Sequence, residues 1–326
     1  MPLAPARPIT LFMPVLAVAG LPASIPDLKQ PHSISTPIAV AALLACCMVA
    51  CAAVGCAHLA AAPDWNAARL PQMAPLPWAP ADELPSRSQL IAGQLVIHTD
   101  FPLAEHHRLV RELESLRADV SQQLGLPISD EPVHLYLFED KRRYEDFAAR
   151  HFPGFPARRA FFVETDTTLS VFAVWQDRIA EDLRHETTHG YVHAVVPAIP
   201  LWLDEGVAEF FELPRSEQGV HAAHVAHLSG RLLEGTWRPD LDRMEALASA
   251  GELSQDHYAE AWCWTHWLLR TTPQRRRLLQ DYLADVRRDG QTAPLSARLR
   301  YAEGSGTDFS AILRAHLETL APPPPD

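Results

Sequence analysis

At 326 residues, 48% of them hydrophobic and 21% charged, the chain carries enough apolar material for a sizeable core in one or two domains. Its formal net charge of −12 excludes an overall basic field able to hold phosphate backbones, so nucleic acid is not an expected partner. Four of the five cysteines (Cys46, Cys47, Cys51, Cys56) share one apolar stretch near the N-terminus; Cys263 alone remains for the folded body, which excludes an internal disulfide framework and a cysteine zinc knuckle there.

From Pro37 to about Ala62 the chain runs without a charge through Ala, Val, Leu, Met and Cys, preceded by Lys29. This reads as a signal or membrane-anchor segment closing a leader over 1–62, with both cleavage and retention open. Leu43-Leu44-Ala45-Cys46 and Ala53-Val54-Gly55-Cys56 are similar to bacterial lipoprotein cleavage boxes. The expected location is therefore exported, at the cell envelope, periplasmic or tethered. Residues 63–88, rich in Pro and Ala without a sustained period, read as a linker, and 321–326 as a frayed tail.

The body, 89–320, opens with an alternating strand at Gln94–Thr99, then an amphipathic helix from about Leu103 to Leu124. A second strand follows at Val133–Phe138 and a helix through Tyr144 to Ala149. Ala160–Val163 and Leu169–Val174 flank a Thr/Asp turn and predict a hairpin. After Asp177 the pattern is helical throughout. The class is α+β: a small sheet with helices in the N-terminal half, then a helical C-terminal half.

At the junction stands His185-Glu186-Thr187-Thr188-His189. Residues four apart share a helix face, so both imidazoles can address one ion. Asp177 is the expected N-cap, with Glu181 and Asp182 in a first turn that favours anions. Two histidines leave zinc short of a third protein ligand; Glu205, after fifteen intervening residues and on a second helix over 201–211, can complete a His-His-Glu set with the fourth position open. Glu209, one turn further, is expected to accept the spare ring N–H of a liganding histidine. Glu186 is the natural general base. Tyr258 is the first choice as oxyanion donor and His257 the second.

The other histidines are expected to do less. His185 and His193 lie about 12 Å apart along a helix axis, so His193 cannot join the site and is expected beside it, lining substrate. His221, His224 and His227 recur at helical spacing and are read as solvated or cleft-lining rather than as a second metal site. No Gly-rich Lys loop and no Gly-x-Ser-x-Gly elbow occurs, which removes nucleotide and serine-hydrolase readings.

The segment from about Asp182 to Glu212 resembles the gluzincin metallopeptidases of the thermolysin and zinc aminopeptidase type. Leu201-Trp202-Leu203-Asp204-Glu205-Gly206-Val207-Ala208-Glu209 is similar to the aminopeptidase version and to compact peptidase MA-like proteins. The resemblance implies a zincin-like fold, one zinc ion on His185, His189 and Glu205, Glu186 as base, and a tyrosine donor that Tyr258 matches. It also implies an edge strand beside the motif helix, expected at Leu169–Val174. The interval to the third ligand is shorter than in those enzymes, and no counterpart of the aminopeptidase amine-gripping motif occurs. Val192 and Val195 stand where a metzincin has Gly and His. The resulting expectation is a zinc endopeptidase-like hydrolase acting on peptide or protein; the alternative is a zinc-stabilised binding or scaffold lipoprotein without turnover.

Overall fold

The structure is a computed structural model and describes residues 79–153 and 158–321. The leader and the C-terminal Pro run, with the anchor and lipoprotein readings made on them, lie outside the described residues. Five strands form one mixed sheet: β1 (Ser88–Ala92), β2 (Leu95–Thr99), β3 (Val133–Phe138), β4 (Ala160–Glu164) and β5 (Leu169–Val174), in the order β1-β2-β3-β5-β4. β2, β3 and β5 run parallel, and an antiparallel strand closes each side.

β1 was not expected; it pairs with β2 through a tight turn at Gly93, whose φ of 59° suits a residue without Cβ. The edge strand on the motif side is β4, whereas Leu169–Val174 is interior, flanked by β3 and β4. Its six residues are all buried, five of them apolar with Ser170 the exception, as suits a strand covered on both faces.

The two sheet faces are covered differently. Phe138, Phe172 and Phe161 pack with Tyr144, Phe147 and Phe152 on or beside α2 (Lys141–His151). On the opposite face Ile97, Leu135 and Val171 meet α1 (Arg108–Leu124) and α3 (Ile179–His193). α1 begins five residues later than expected, where the His107 ring accepts the Leu109 N–H as cap. Residues assigned to the linker already belong to the fold: Leu84 is buried, and Arg143 donates to the carbonyls of Glu83 and Leu84.

The C-terminal half is helical: α4 (Leu201–Phe211), α5 (Ala222–Leu233), α6 (Leu241–Glu245), α7 (Gln255–Arg270), α8 (Pro273–Asp289), α9 (Leu295–Glu303) and α10 (Phe309–Leu320). Trp202, Trp262, Trp264 and Trp267 are wholly buried in its core, as is Cys263, a small apolar filler there. Among the described residues no helix is long and apolar enough to cross a membrane.

Candidate metal centre

α3 carries the His-Glu-x-x-His motif on a helix that is buried along most of its length. Its cap is Arg178 rather than Asp177, without a side-chain hydrogen bond; Arg178 is paired instead to Glu181 of the first turn. Asp182 is held by a bidentate Arg159 at 2.6–3.1 Å. Gly190 lets α3 lie on β3, since a Cβ there would stand 2.7 Å from Val133 Cγ1. Gly206 does the same for α4 on α7: a Cβ would meet both Ala261 O and Thr265 Oγ1 at 2.5 Å.

These close approaches bring three side chains to one point. Glu205 Oε2 lies 3.6 Å from His185 Nε2 and 3.8 Å from His189 Nε2. The oxygen is buried and has no hydrogen-bond partner. A buried carboxylate oxygen in that state costs free energy unless a cation completes it. With metal–ligand bonds of about 2.0–2.2 Å at tetrahedral angles, ligand atoms stand about 3.3 Å apart, so the observed separations need only a few tenths of an ångström of adjustment. Two imidazoles and a carboxylate are a donor set for borderline divalent ions. The residues present therefore fit a metal ion.

Around this group a second ring of carboxylates fixes both imidazoles. His189 Nδ1 is 3.0 Å from Asp204 Oδ1, a close approach whose angle falls outside hydrogen-bond geometry. Asp204 Oδ2 is 3.0 Å from His193 Nε2, and His193 Nδ1 is 2.6 Å from Glu164 Oε2 on β4. Both His193 nitrogens can donate only when the ring is protonated. Burial opposes that charge, but Asp204 and Glu164 outweigh it and push the group up to about 10. The substrate-lining role expected for His193 gives way to a clamp between strand and helix.

His185 is held by Glu212, its Nδ1 lying 2.9 Å from Oε2; burial works against protonation there, while Glu205 and Glu212 hold the group well above its ordinary value. Glu212, not Glu209, thus takes the spare N–H of this histidine. Glu209 accepts instead from His224 Nε2 at 2.7 Å, and Glu212 Oε1 lies 2.8 Å from His221 Nε2. His221 and His224 are therefore neither solvated nor cleft-lining. His227 pairs with Asp256 at the start of α7.

Glu186, beside the first histidine, is buried, and desolvation raises its pKa against the pull of His185 and His189. Tyr258 is close enough to Glu205 and His185 to feel their charges, with burial and then Glu205 pushing its phenol up. Arg158, just before β4, donates to the Tyr258 oxygen at 2.8 Å and senses Glu205 and Glu186. Sequence reasoning missed it because nothing local separates it from Arg159. His257, the second choice as donor, has its Nδ1 in the capping box of α7, facing Ser254 and Glu252 O.

A family model described as "Protein of unknown function (DUF1570)" matches residues 179–289, from the first residue of α3 to the last of α8. No curated protein matches the chain. Among solved structures the chain is similar to an M1 zinc metallopeptidase from Deinococcus radiodurans, at 19% identity and a TM-score of 0.40 over 73% of this chain. A point mutant of the same metallopeptidase matches at 18% identity and a TM-score of 0.38. The chain spans about half of those structures, 52% in each case.

Proposed function

We propose that the protein is a zinc-dependent hydrolase of peptide or related amide bonds, endopeptidase-like, with peptide or protein as substrate. The observation that carries the reading is Glu205 Oε2, buried, unpartnered and facing both Nε2 atoms of a histidine pair whose Nδ1 atoms are turned to other carboxylates. His185, His189 and Glu205 would hold the zinc. A bound zinc ion supplies Lewis acidity, polarising a carbonyl and bringing the pKa of water towards about 7.

The protein's own groups do the rest. Glu186 takes the proton of the attacking water and delivers it to the leaving nitrogen, and its burial, by raising its pKa, strengthens it as a base. Tyr258 donates its O–H to the oxygen that gains charge as the carbonyl is attacked, and Arg158 fixes the phenol for that task. β4 forms the wall. Phe162 stacks beside His189 at a centroid distance of 5.9 Å, and among the described residues β4 pairs only with β5. Its free edge suits an extended peptide added as a further strand. Export and tethering by the apolar N-terminal segment complete the proposal.

The test is metal analysis with a general peptide hydrolysis assay, wild type against Glu186→Gln. The expected outcome is zinc retained in both and hydrolysis lowered by about 10²-fold or more in the variant. Zinc present with no hydrolysis in either protein would favour the scaffold reading. Absence of bound metal from the wild type would sink the proposal.

A further inference from the structure

Below the His185–His189–Glu205 group, the last turn of α4 and the first turn of α5 face each other with two carboxylates and two imidazoles. Glu209, Glu212 and His224 are buried, and the His221 side chain is 15% exposed. One ligand atom each from Glu209, His221 and His224 lies within 4.8 Å of the others. The His221 and His224 rings stack at 3.9 Å, which brings their edges to the same side. From this arrangement we infer a second metal site, in which Glu209, His221 and His224, with Glu212 beside them, bind a divalent transition ion distinct from the one assigned above.

Charge balance points the same way. Glu186, Glu205, Glu209 and Glu212 are all buried within this part of the fold. An ion on His185, His189 and Glu205 compensates the first two, together with Arg158 at the rim. Among the described residues no lysine or arginine makes an ion pair with the Glu209 or Glu212 carboxylate. Arg184 donates instead to the Glu212 backbone carbonyl and to Glu112. Two buried carboxylates then depend on histidine protons or on a second dication.

The separations bracket what an ion needs. Glu209 Oε2 is 2.7 Å from His224 Nε2 and 3.8 Å from His221 Nε2, either side of the roughly 3.3 Å of tetrahedral ligand pairs. The shorter distance is that of a shared proton, and the ion takes that proton's place. Two further contacts are lost on loading, the 2.8 Å hydrogen bond from His221 Nε2 to Glu212 Oε1 and a long cap. His221 Nδ1 accepts the His224 backbone N–H at 3.3 Å, which places the ring proton on Nε2; ligation through Nε2 moves it to Nδ1 and gives up this long cap. In exchange the ion ties α5 to α4 through Glu209, while Glu212 keeps its contact with His185. The site mixes nitrogen and oxygen donors and is suited to zinc and its neighbours in the transition series.

The full chain is dialysed against zinc chloride, freed of excess, and its zinc equivalents counted by native mass spectrometry and elemental analysis. Wild type is expected to hold two ions, and Glu205→Gln and His224→Asn one each. His221→Asn, whose side chain still caps α5, serves as a second variant should His224→Asn fail to fold. One ion in the wild type, lost in Glu205→Gln and kept in His224→Asn, overturns this inference while leaving the hydrolase reading intact. One ion lost only in the α5 variants upholds the inference and removes the hydrolase reading. No bound ion in the wild type overturns both.

Discussion

Two glycines set the geometry of the candidate site, and they should respond differently to the same perturbation. Replacing Gly206 by Ala gains about 1 kcal/mol of helix propensity. It also drives a methyl to 2.5 Å from Ala261 O, where ordinary contact begins near 3.4 Å. Overpacking of this kind costs about 1–3 kcal/mol or more, and the obstacle is backbone, so α4 must withdraw from α7 by about 1 Å. With the cost taken at the upper end of that range, about 3 kcal/mol, because backbone cannot rotate away, the net expectation is a loss of about 2 kcal/mol, a melting temperature lower by roughly 4–8 °C for a body of this size. Glu205 is adjacent, so zinc affinity should fall with it. Gly190→Ala meets a side chain instead, Val133 Cγ1 at 2.7 Å and Cγ2 at 3.1 Å, with Cβ at an ordinary 3.5 Å. Adding Val133→Ala removes both methyls, and the double variant should recover most of the loss, whereas Gly206→Ala combined with Thr265→Ser should not. The assay is thermal unfolding with zinc counting on the five proteins. Equal recovery in both pairs, or no loss in Gly206→Ala, would refute the packing argument.

Asp204→Asn removes the charge that His189 and His193 share, and zinc affinity should fall about 10- to 100-fold in a chelator competition titration, with the ion still binding at saturation. Tyr258→Phe should lower kcat by about 10²-fold with KM little changed; a change within twofold would remove the oxyanion role. Acid should destabilise the body through His98, whose burial between β1 and β3 lowers its pKa from 6.5 to about 4. A group depressed in the folded state is protonated first in the unfolded chain, so its contribution is complete above pH 6.5 and falls away as pH drops towards 4. By pH 5 this amounts to about 2 kcal/mol, and the urea midpoint of His98→Phe should fall less steeply from pH 8 to 5 than that of wild type. Parallel curves would show that His98 does not titrate this way.

What was legible from sequence followed from local period. His185 and His189 share a face by spacing, and Glu205 follows from its short interval after His189 and its place on the next helix. The carboxylates that hold the rings were harder. Glu205, Glu209 and Glu212 stand at i, i+4 and i+7 on one face of α4 and its extension, and spacing alone admits either of the last two beneath His185. The structure decides for Glu212, whose Oε2 lies 2.9 Å from His185 Nδ1, through packing that includes the close approach of Gly206 to α7, far along the chain. Asp204, one residue before Glu205 on the same helix, carries no local signal of its role, yet its Oδ1 lies 3.0 Å from His189 Nδ1. The edge strand was misplaced between two arms of one hairpin. β5 carries no charged residue and is buried throughout, whereas β4 carries Phe162 and Glu164 on the face towards α3, so the arm with the charged residue was the better choice for a wall next to charged chemistry.

The chain of contacts from Glu164 through His193 and Asp204 to His189 has a consequence for how selectivity in this protein could change. The wall against which an extended chain would lie is anchored, by one protonated imidazole, to the same aspartate that steers a metal-facing ring. Widening the groove by altering Glu164 would therefore loosen the grip on the ion as well, and the two properties would drift together. Phe162, which packs against the His189 and His193 rings and makes none of the polar contacts in that chain, is the position where the groove can be reshaped with those contacts kept.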